Sequence, residues 1–163
     1  MSKLADLIWK NAELLRGAYK ENEYRKVILP FTILRRLDCV LEPTRDAVRA
    51  RHEAIRTKNY DLDKMLTPVS GYPFFNTSRF TLPGIAQTPD DVRDNLEALL
   101  NGFSQNVCDI FDKFGFAATL DKLAEKNRLY LVVQRFAETD LSPEAVSNHD
   151  MGLAFEELIR RFA

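Results

Sequence analysis

The chain predicts a mainly α fold, a multi-helix bundle-like domain with at most one short β-hairpin. Two observations carry this. Apolar residues recur at three- and four-residue spacing through most of the 163 residues, the period of a helix that buries one face. Strand-like alternation appears only near residues 74–82, between turn-forming residues.

The first helix is expected over Lys3 to Arg16, with Leu4, Leu7, Ile8, Ala12 and Leu15 as its buried stripe. Gly17 is placed to end it as a C′ glycine. A longer helix is expected over about Glu21 to Leu41, where Tyr24, Val27, Ile28, Phe31, Leu34, Leu37 and Leu41 repeat at helical spacing. Pro30 lies inside that pattern, where it removes a backbone donor and should kink the helix. Pro43 suits N1 of a third helix. Residues 44–58 are strongly charged with few apolar positions, so this helix should be half exposed.

Residues 59–88 change character, because Pro68, Pro73, Pro83, Gly71 and Gly84 break any long helix. Within them Phe74-Phe75-Asn76 and Arg79-Phe80-Thr81-Leu82 flank Thr77-Ser78, the pattern of a hairpin. Helix resumes at Thr88-Pro89-Asp90-Asp91, with Thr88 as cap, proline at N1 and acids in the first turn. Val92, Leu96, Leu99 and Phe103 form its stripe, and Val107, Ile110, Phe111 and Phe114 continue it past Gly102. Residues 116–138 read as two helices meeting near Asn127, with Leu129 to Val133 open to a strand reading but flanked by helical pattern. Ser142-Pro143 opens a turn, and Ser147 with Asp150 three residues on resembles a capping box.

The last helix, Asp150 to Ala163, runs to the end of the chain uncapped. Met151, Phe155, Leu158, Ile159 and Phe162 share one stripe, and Glu156–Arg160 and Glu157–Arg161 make acid-before-base pairs four apart. A helix so well formed usually leads somewhere. Residues 1–163 are therefore read as one domain of a longer protein.

Net charge is −1, which points to neither nucleic acid nor membrane. The distribution is uneven. Residues 1–60 hold 13 Lys/Arg against 8 Asp/Glu, and the remainder 10 against 16, so a basic face on the first half opposes an acidic second half. Cys39 and Cys108 sit among apolar residues and read as small core hydrophobes in a reducing compartment. The N-terminus has charges inside its apolar run, unlike a signal peptide, and no run approaches the roughly 18 apolar residues of a membrane span. A cytoplasmic protein is expected.

Catalytic chemistry is missing. His52 and His149 have no Cys or His at metal-ligand spacing. The six glycines never fall within two residues of each other, so neither a Gly-x-Gly cofactor loop nor a P-loop is present. No Gly-x-Ser-x-Gly occurs. The carboxylate pairs Asp90-Asp91 and Glu156-Glu157 have structural explanations in first turns or on polar stripes. No catalytic, cofactor-binding or metal residue is assigned.

Three segments together carry a resemblance: Leu7-Ile8-Trp9-Lys10-Asn11-Ala12-Glu13-Leu14-Leu15-Arg16-Gly17; Glu23-Tyr24-Arg25-Lys26-Val27-Ile28-Leu29-Pro30 running on to Leu34-Arg35-Arg36-Leu37-Asp38; and Met151 to Ala163. Phe74 to Ser78 adds to them. The chain resembles the N-terminal domain of the modification subunit of type I restriction-modification DNA methyltransferases. The resemblance implies that a Rossmann-like S-adenosylmethionine-dependent domain, with a Gly-rich loop and an Asn-Pro-Pro-aromatic motif, follows this one and methylates adenine N6. Tyr72-Pro73-Phe74-Phe75 is no such motif, since it lacks the leading Asn and second Pro. This chain would then be catalytically inert. The implied partners are the specificity subunit, the restriction subunit, a second modification subunit and duplex DNA.

In the family-like segments Arg16, Lys20, Arg25, Lys26, Arg35 and Arg36 are the candidates for DNA or partner contact. Phosphate contacts position a protein without reading sequence, which suits a subunit whose target is chosen elsewhere. Each has a plainer reading as well. Arg25 follows Glu21 by four, Arg35 and Arg36 flank core leucines that their stems can cover, and Asp38 lies within reach of Arg35. Trp9 and Tyr19 are interface anchors or core residues, with core packing favoured for Trp9. The competing function is a purely protein–protein scaffold of the same complex that never touches DNA.

Overall fold

A computed structural model describes residues 3–161, with the side chains of Lys3, Leu7, Phe155 and residues 157–161 outside the described set. The expected stripe through Phe155, Leu158, Ile159 and Phe162, and the pairs Glu156–Arg160 and Glu157–Arg161, therefore lie outside the described residues.

The first helix is shorter than its stripe suggested. Helix α1 covers Lys3–Trp9, and Lys10–Leu15 continue as a 3-10 helix. Gly17 then takes a left-handed φ of +86°, the conformation that favours glycine. A 3-10 turn at Glu21–Glu23 leads into α2, Tyr24–Leu41. Pro30 sits inside α2 without ending it. A 3-10 turn holding Pro43 joins α2 to α3, Arg45–Ile55, whose buried residues are Arg45, Val48 and Ile55.

The expected hairpin does not form, and the described residues contain no strand pair. Residues 62–70 are instead helix α4, Leu62–Ser70, with Pro68 inside it. Asp61 starts it by accepting the Asp63 N–H at 3.0 Å and the Lys64 N–H at 3.4 Å, so the cap outweighs the breaker. Residues 75–77 do extend, but they pair with a segment some 25 residues further on. The Ser104 N–H donates to the Phe75 carbonyl and the Thr77 N–H to the Gly102 carbonyl, each at 2.9 Å, around a single bridge between Asn76 and Phe103. Leu82 opens a short helix α5, Leu82–Ile85, capped by Thr81, whose Oγ1 accepts the Gly84 N–H at 3.1 Å.

Helix α6 covers Val92–Asn101 after a 3-10 turn at Pro89–Asp91. Thr88 makes no side-chain cap there; its hydroxyl donates to the Ile85 carbonyl at 3.2 Å. Helix α7 is Gln105–Phe114, α8 Phe116–Glu125 and α9 Leu129–Glu138. The α8–α9 junction lies at Asn127, which has a φ of +57°, and Leu129 to Val133 are helical. Ile110 and Phe114 depart from the expected stripe, being 44% and 39% exposed. The last helix, α10, covers Asn148–Arg161. Ser147 caps it, its Oγ accepting the Asp150 N–H at 3.1 Å.

The main core is built around Phe31 of α2. Its ring meets Phe116 of α8 edge-on at 5.0 Å and stacks on Phe136 of α9 at 5.4 Å. Phe111 extends the stack to Phe116 at 5.3 Å. Such pairs add to the gain from area burial. Val48, Ile55, Leu66 and Phe75 form a second, smaller core between α3 and α4. Cys39 and Cys108 are free and half-buried, and Cys108 packs against the main core. Burial pushes both thiols up. Among the described residues no helix is long and apolar enough to cross a membrane.

Candidate functional site

The six basic candidates divide into an internal pair and an exposed set. Arg35 and Arg36 are the internal pair. Arg35 Nε donates to the Thr139 carbonyl at 2.9 Å and Nη2 to the Ala137 carbonyl at 3.1 Å. These are among the last carbonyls of α9, which have no partner within their helix and carry the negative end of its dipole. Arg35 Nη1 reaches Asp38 Oδ2 at 3.1 Å, as the three-residue spacing indicated. Arg36 grips the connection into α10. Its Nη1 donates to the carbonyls of Leu141 at 2.8 Å and Val146 at 2.7 Å, and its Nη2 to Asn148 Oδ1 at 2.9 Å.

Asp38 is the centre of a buried polar cluster. Its Oδ2 also accepts the Leu82 N–H at 3.1 Å, and its Oδ1 accepts Arg45 Nη2 at 2.9 Å. Arg45 Nη2 donates as well to the Asp38 carbonyl at 3.0 Å, and its Nε to Glu42 at 3.1 Å. Burial pushes the Asp38 carboxyl above its ordinary range, against the downward pull of Arg45, the Leu82 N–H and Arg35. One carboxylate and two guanidiniums thus tie α2 to α3, α5 and α9. Sequence reading found the Arg35–Asp38 pair and missed Arg45. The signal was its place seven residues after Asp38, two helical turns along one face, hidden by the break at Pro43.

The exposed set lies between the first 3-10 helix and the first turn of α2. Arg16, Lys20 and Lys26 are exposed and Arg25 half-buried. Arg16 pairs loosely with Glu13 at 3.4 Å, both in solvent. No ion pair joins Arg25 to Glu21 among the described residues. The Lys20 backbone N–H donates to Glu23 Oε1 at 3.0 Å, which holds the Glu23 carboxyl below its usual range. Lys122 of α8 arrives from the acidic half. Its Nζ stands 4.4 Å from the Tyr19 ring centroid and 3.7 Å from Glu23 Oε2. Nothing in the local sequence marks Lys122, since only packing brings it to this edge.

Tyr19 is committed to that packing. Its hydroxyl donates to the Thr119 carbonyl at 3.5 Å. Burial, with Glu23 adding to it, pushes the phenol up to about 12. Trp9 is half-buried and packs against the main core. It also lines a shallow cleft of about 130 Å³ with Glu13, Arg16, Glu21 and Tyr24, which is smaller than pockets that bury a drug-sized ligand. No three His, Cys, Asp or Glu side chains among the described residues are grouped to hold a metal ion. The geometry offers a surface that is part cationic and, separately, a buried polar brace.

Comparison with known proteins gives one match. The family described as the HsdM N-terminal domain matches residues 4–136, the span from α1 through most of α9. No curated protein and no solved structure matches the chain.

Proposed function

The chain belongs to the HsdM N-terminal domain family, the N-terminal domain of type I restriction-modification modification subunits, and from this we propose that it serves as the DNA-binding and subunit-assembly domain of an adenine-N6 DNA methyltransferase. In this reading residues 1–163 precede a catalytic domain in a longer cytoplasmic subunit. S-adenosylmethionine binds that later domain, and this one is catalytically inert. The partners are the specificity subunit, the restriction subunit, a second modification subunit and duplex DNA.

The observation that supports the DNA contact is the cationic edge of Arg16, Lys20, Arg25 and Lys26, set close together by the turn between α1 and α2. Arg16 holds only a solvent-exposed pair with Glu13 and the Lys20 and Lys26 side chains are exposed, whereas Arg35 and Arg36 have committed their donors to carbonyls, the Asp38 carboxylate and the Asn148 side chain. The proposed roles therefore divide. The four at this edge meet phosphate, and the internal pair keeps the domain and its exit into α10 in the shape that assembly needs. The same commitment of Arg35 and Arg36 favours a second reading, a scaffold that makes only protein contacts.

Salt dependence separates the two. Each phosphate contact adds about 0.9 to the slope of log affinity against log salt. In the assembled methyltransferase, Lys20→Gln with Lys26→Gln should lower that slope by roughly 1–2. Affinity should fall about equally for specific and non-specific DNA, since such contacts carry no base information. An unchanged slope in an enzyme that assembles normally would leave the scaffold reading standing.

A further inference from the structure

A second surface lies on the acidic half. Helices α6, α7 and α8 enclose a cleft of about 100 Å³, lined by Leu100, Phe111, Phe116 and Leu120 and edged by Glu97 and Asp112. Pockets that bury a drug-sized ligand run to about 300–1,000 Å³. This one is the size of a single aliphatic side chain. Arg93 also lines it, but its Nε is engaged by Asp121 Oδ1 at 2.8 Å. Glu97 and Asp112 have no ion-pair partner among the described residues. The Cys108 thiol, in the same lining, is pushed up by burial and then by Asp112 and Asp109, so both carboxylates act on the cleft.

We propose that the α6–α7–α8 cleft is a docking site for a basic helical segment of a partner protein, which inserts one aliphatic side chain and sets flanking Arg or Lys against Glu97 and Asp112. The occupant follows from charge complementarity. A rim in which Glu97 and Asp112 stand without ion pairs among the described residues while Arg93 is held by Asp121 is net anionic, so it disfavours phosphate at this face. It attracts cations, and an apolar floor with a charged rim is how helix-in-groove recognition divides affinity from specificity. The residues that line the site are not those of the cationic edge, and it stands whether or not that edge meets DNA.

The test uses the 163-residue chain and three synthetic helical peptides. The first carries one leucine flanked by arginines, the second replaces that leucine with serine, and the third replaces the arginines with glutamates. Backbone amide NMR shifts on titration locate the binding. The leucine–arginine peptide should perturb the amides of Leu100, Cys108 and Ala117. Losing its leucine should weaken binding about tenfold, the worth of one buried aliphatic side chain. Glu97→Gln with Asp112→Asn should weaken it about fivefold, as two exposed ion pairs would. Ala117→Trp should plug the cleft and abolish it. Glu138→Gln with Glu144→Gln, which removes the same charge elsewhere, should leave it unchanged. Binding that weakens equally in both charge variants would make the attraction diffuse and overturn the proposal. So would shifts confined to other surfaces, tight binding of the glutamate peptide, or no binding at all.

Discussion

Asp38 and Arg45 meet at 2.9 Å with side chains only 2% and 7% exposed, across the break between α2 and α3. A buried ion pair adds little stability compared with apolar packing, but removing one partner strands the other charge away from water. Asp38→Ala should therefore lower the free energy of unfolding by about 3–5 kcal/mol. Urea denaturation of Asp38→Ala, Arg45→Ala and the double variant checks this. The double variant should be less destabilised than the sum of the singles. Simple additivity would mean that the pair is not coupled.

Arg36 holds the carbonyls of Leu141 and Val146 and the side chain of Asn148, so one guanidinium ties the segment entering α10 to α2. Arg36→Ala should destabilise the domain by about 2 kcal/mol, on the scale of two carbonyls left without charged donors. Limited proteolysis should show faster cutting between residues 141 and 148. Arg36→Lys should recover only part of the loss, because one ammonium cannot reproduce the guanidinium's forked geometry. Equal protease resistance in Arg36→Ala and the wild type would remove the clamp role.

Gly102 lies beneath residues 76–78. A Cβ there would stand 2.5 Å from Asn76 Oδ1, 2.7 Å from Ser78 Cβ and 2.8 Å from Ser78 N. Backbone as well as side chain must move to admit it. Gly102→Ala should cost about 1–3 kcal/mol, as overpacking of a filled site does. Thermal unfolding measures it, and a stability equal to wild type would show that the 75–77 segment yields without cost.

Tyr19 supplies a pH dependence. Its phenol ionises near 10 in the unfolded chain and is pushed up to about 12 in the folded one. Below pH 10 both states keep the proton and its contribution to stability is fully present. Between pH 10 and about 12 the unfolded chain loses the proton first, so that contribution is lost as pH rises. Tyr19→Phe should flatten the fall in stability over this window. Identical slopes for the variant and wild type would separate Tyr19 from the effect.

Much of the fold was legible in the residues, because a helix is a local object. Its period, caps and breaks lie within a few neighbours, and the stripes of α2 and α6, the Ser147 cap and the junction of two helices at Asn127 could all be read there. The family too was legible, since its motifs are short contiguous segments. Pairing is not local. Alternation at residues 74–78 marked an extended segment but could not say that its partner was Gly102 to Ser104 rather than Arg79 to Leu82. Pro68 read as a breaker, although the Asp61 cap is local, because the packing of Leu66 with Val48, Ile55 and Phe75 was out of view. The basic residues show the same division. Sequence could identify Arg35 and Arg36 as cations, but only tertiary packing brought the end of α9 and the entry to α10 against them, about 100 residues away. A guanidinium's role depends on which acceptors surround it, and for this pair the carrying helix supplies Asp38 while the fold supplies the carbonyls of residues 137, 139, 141 and 146.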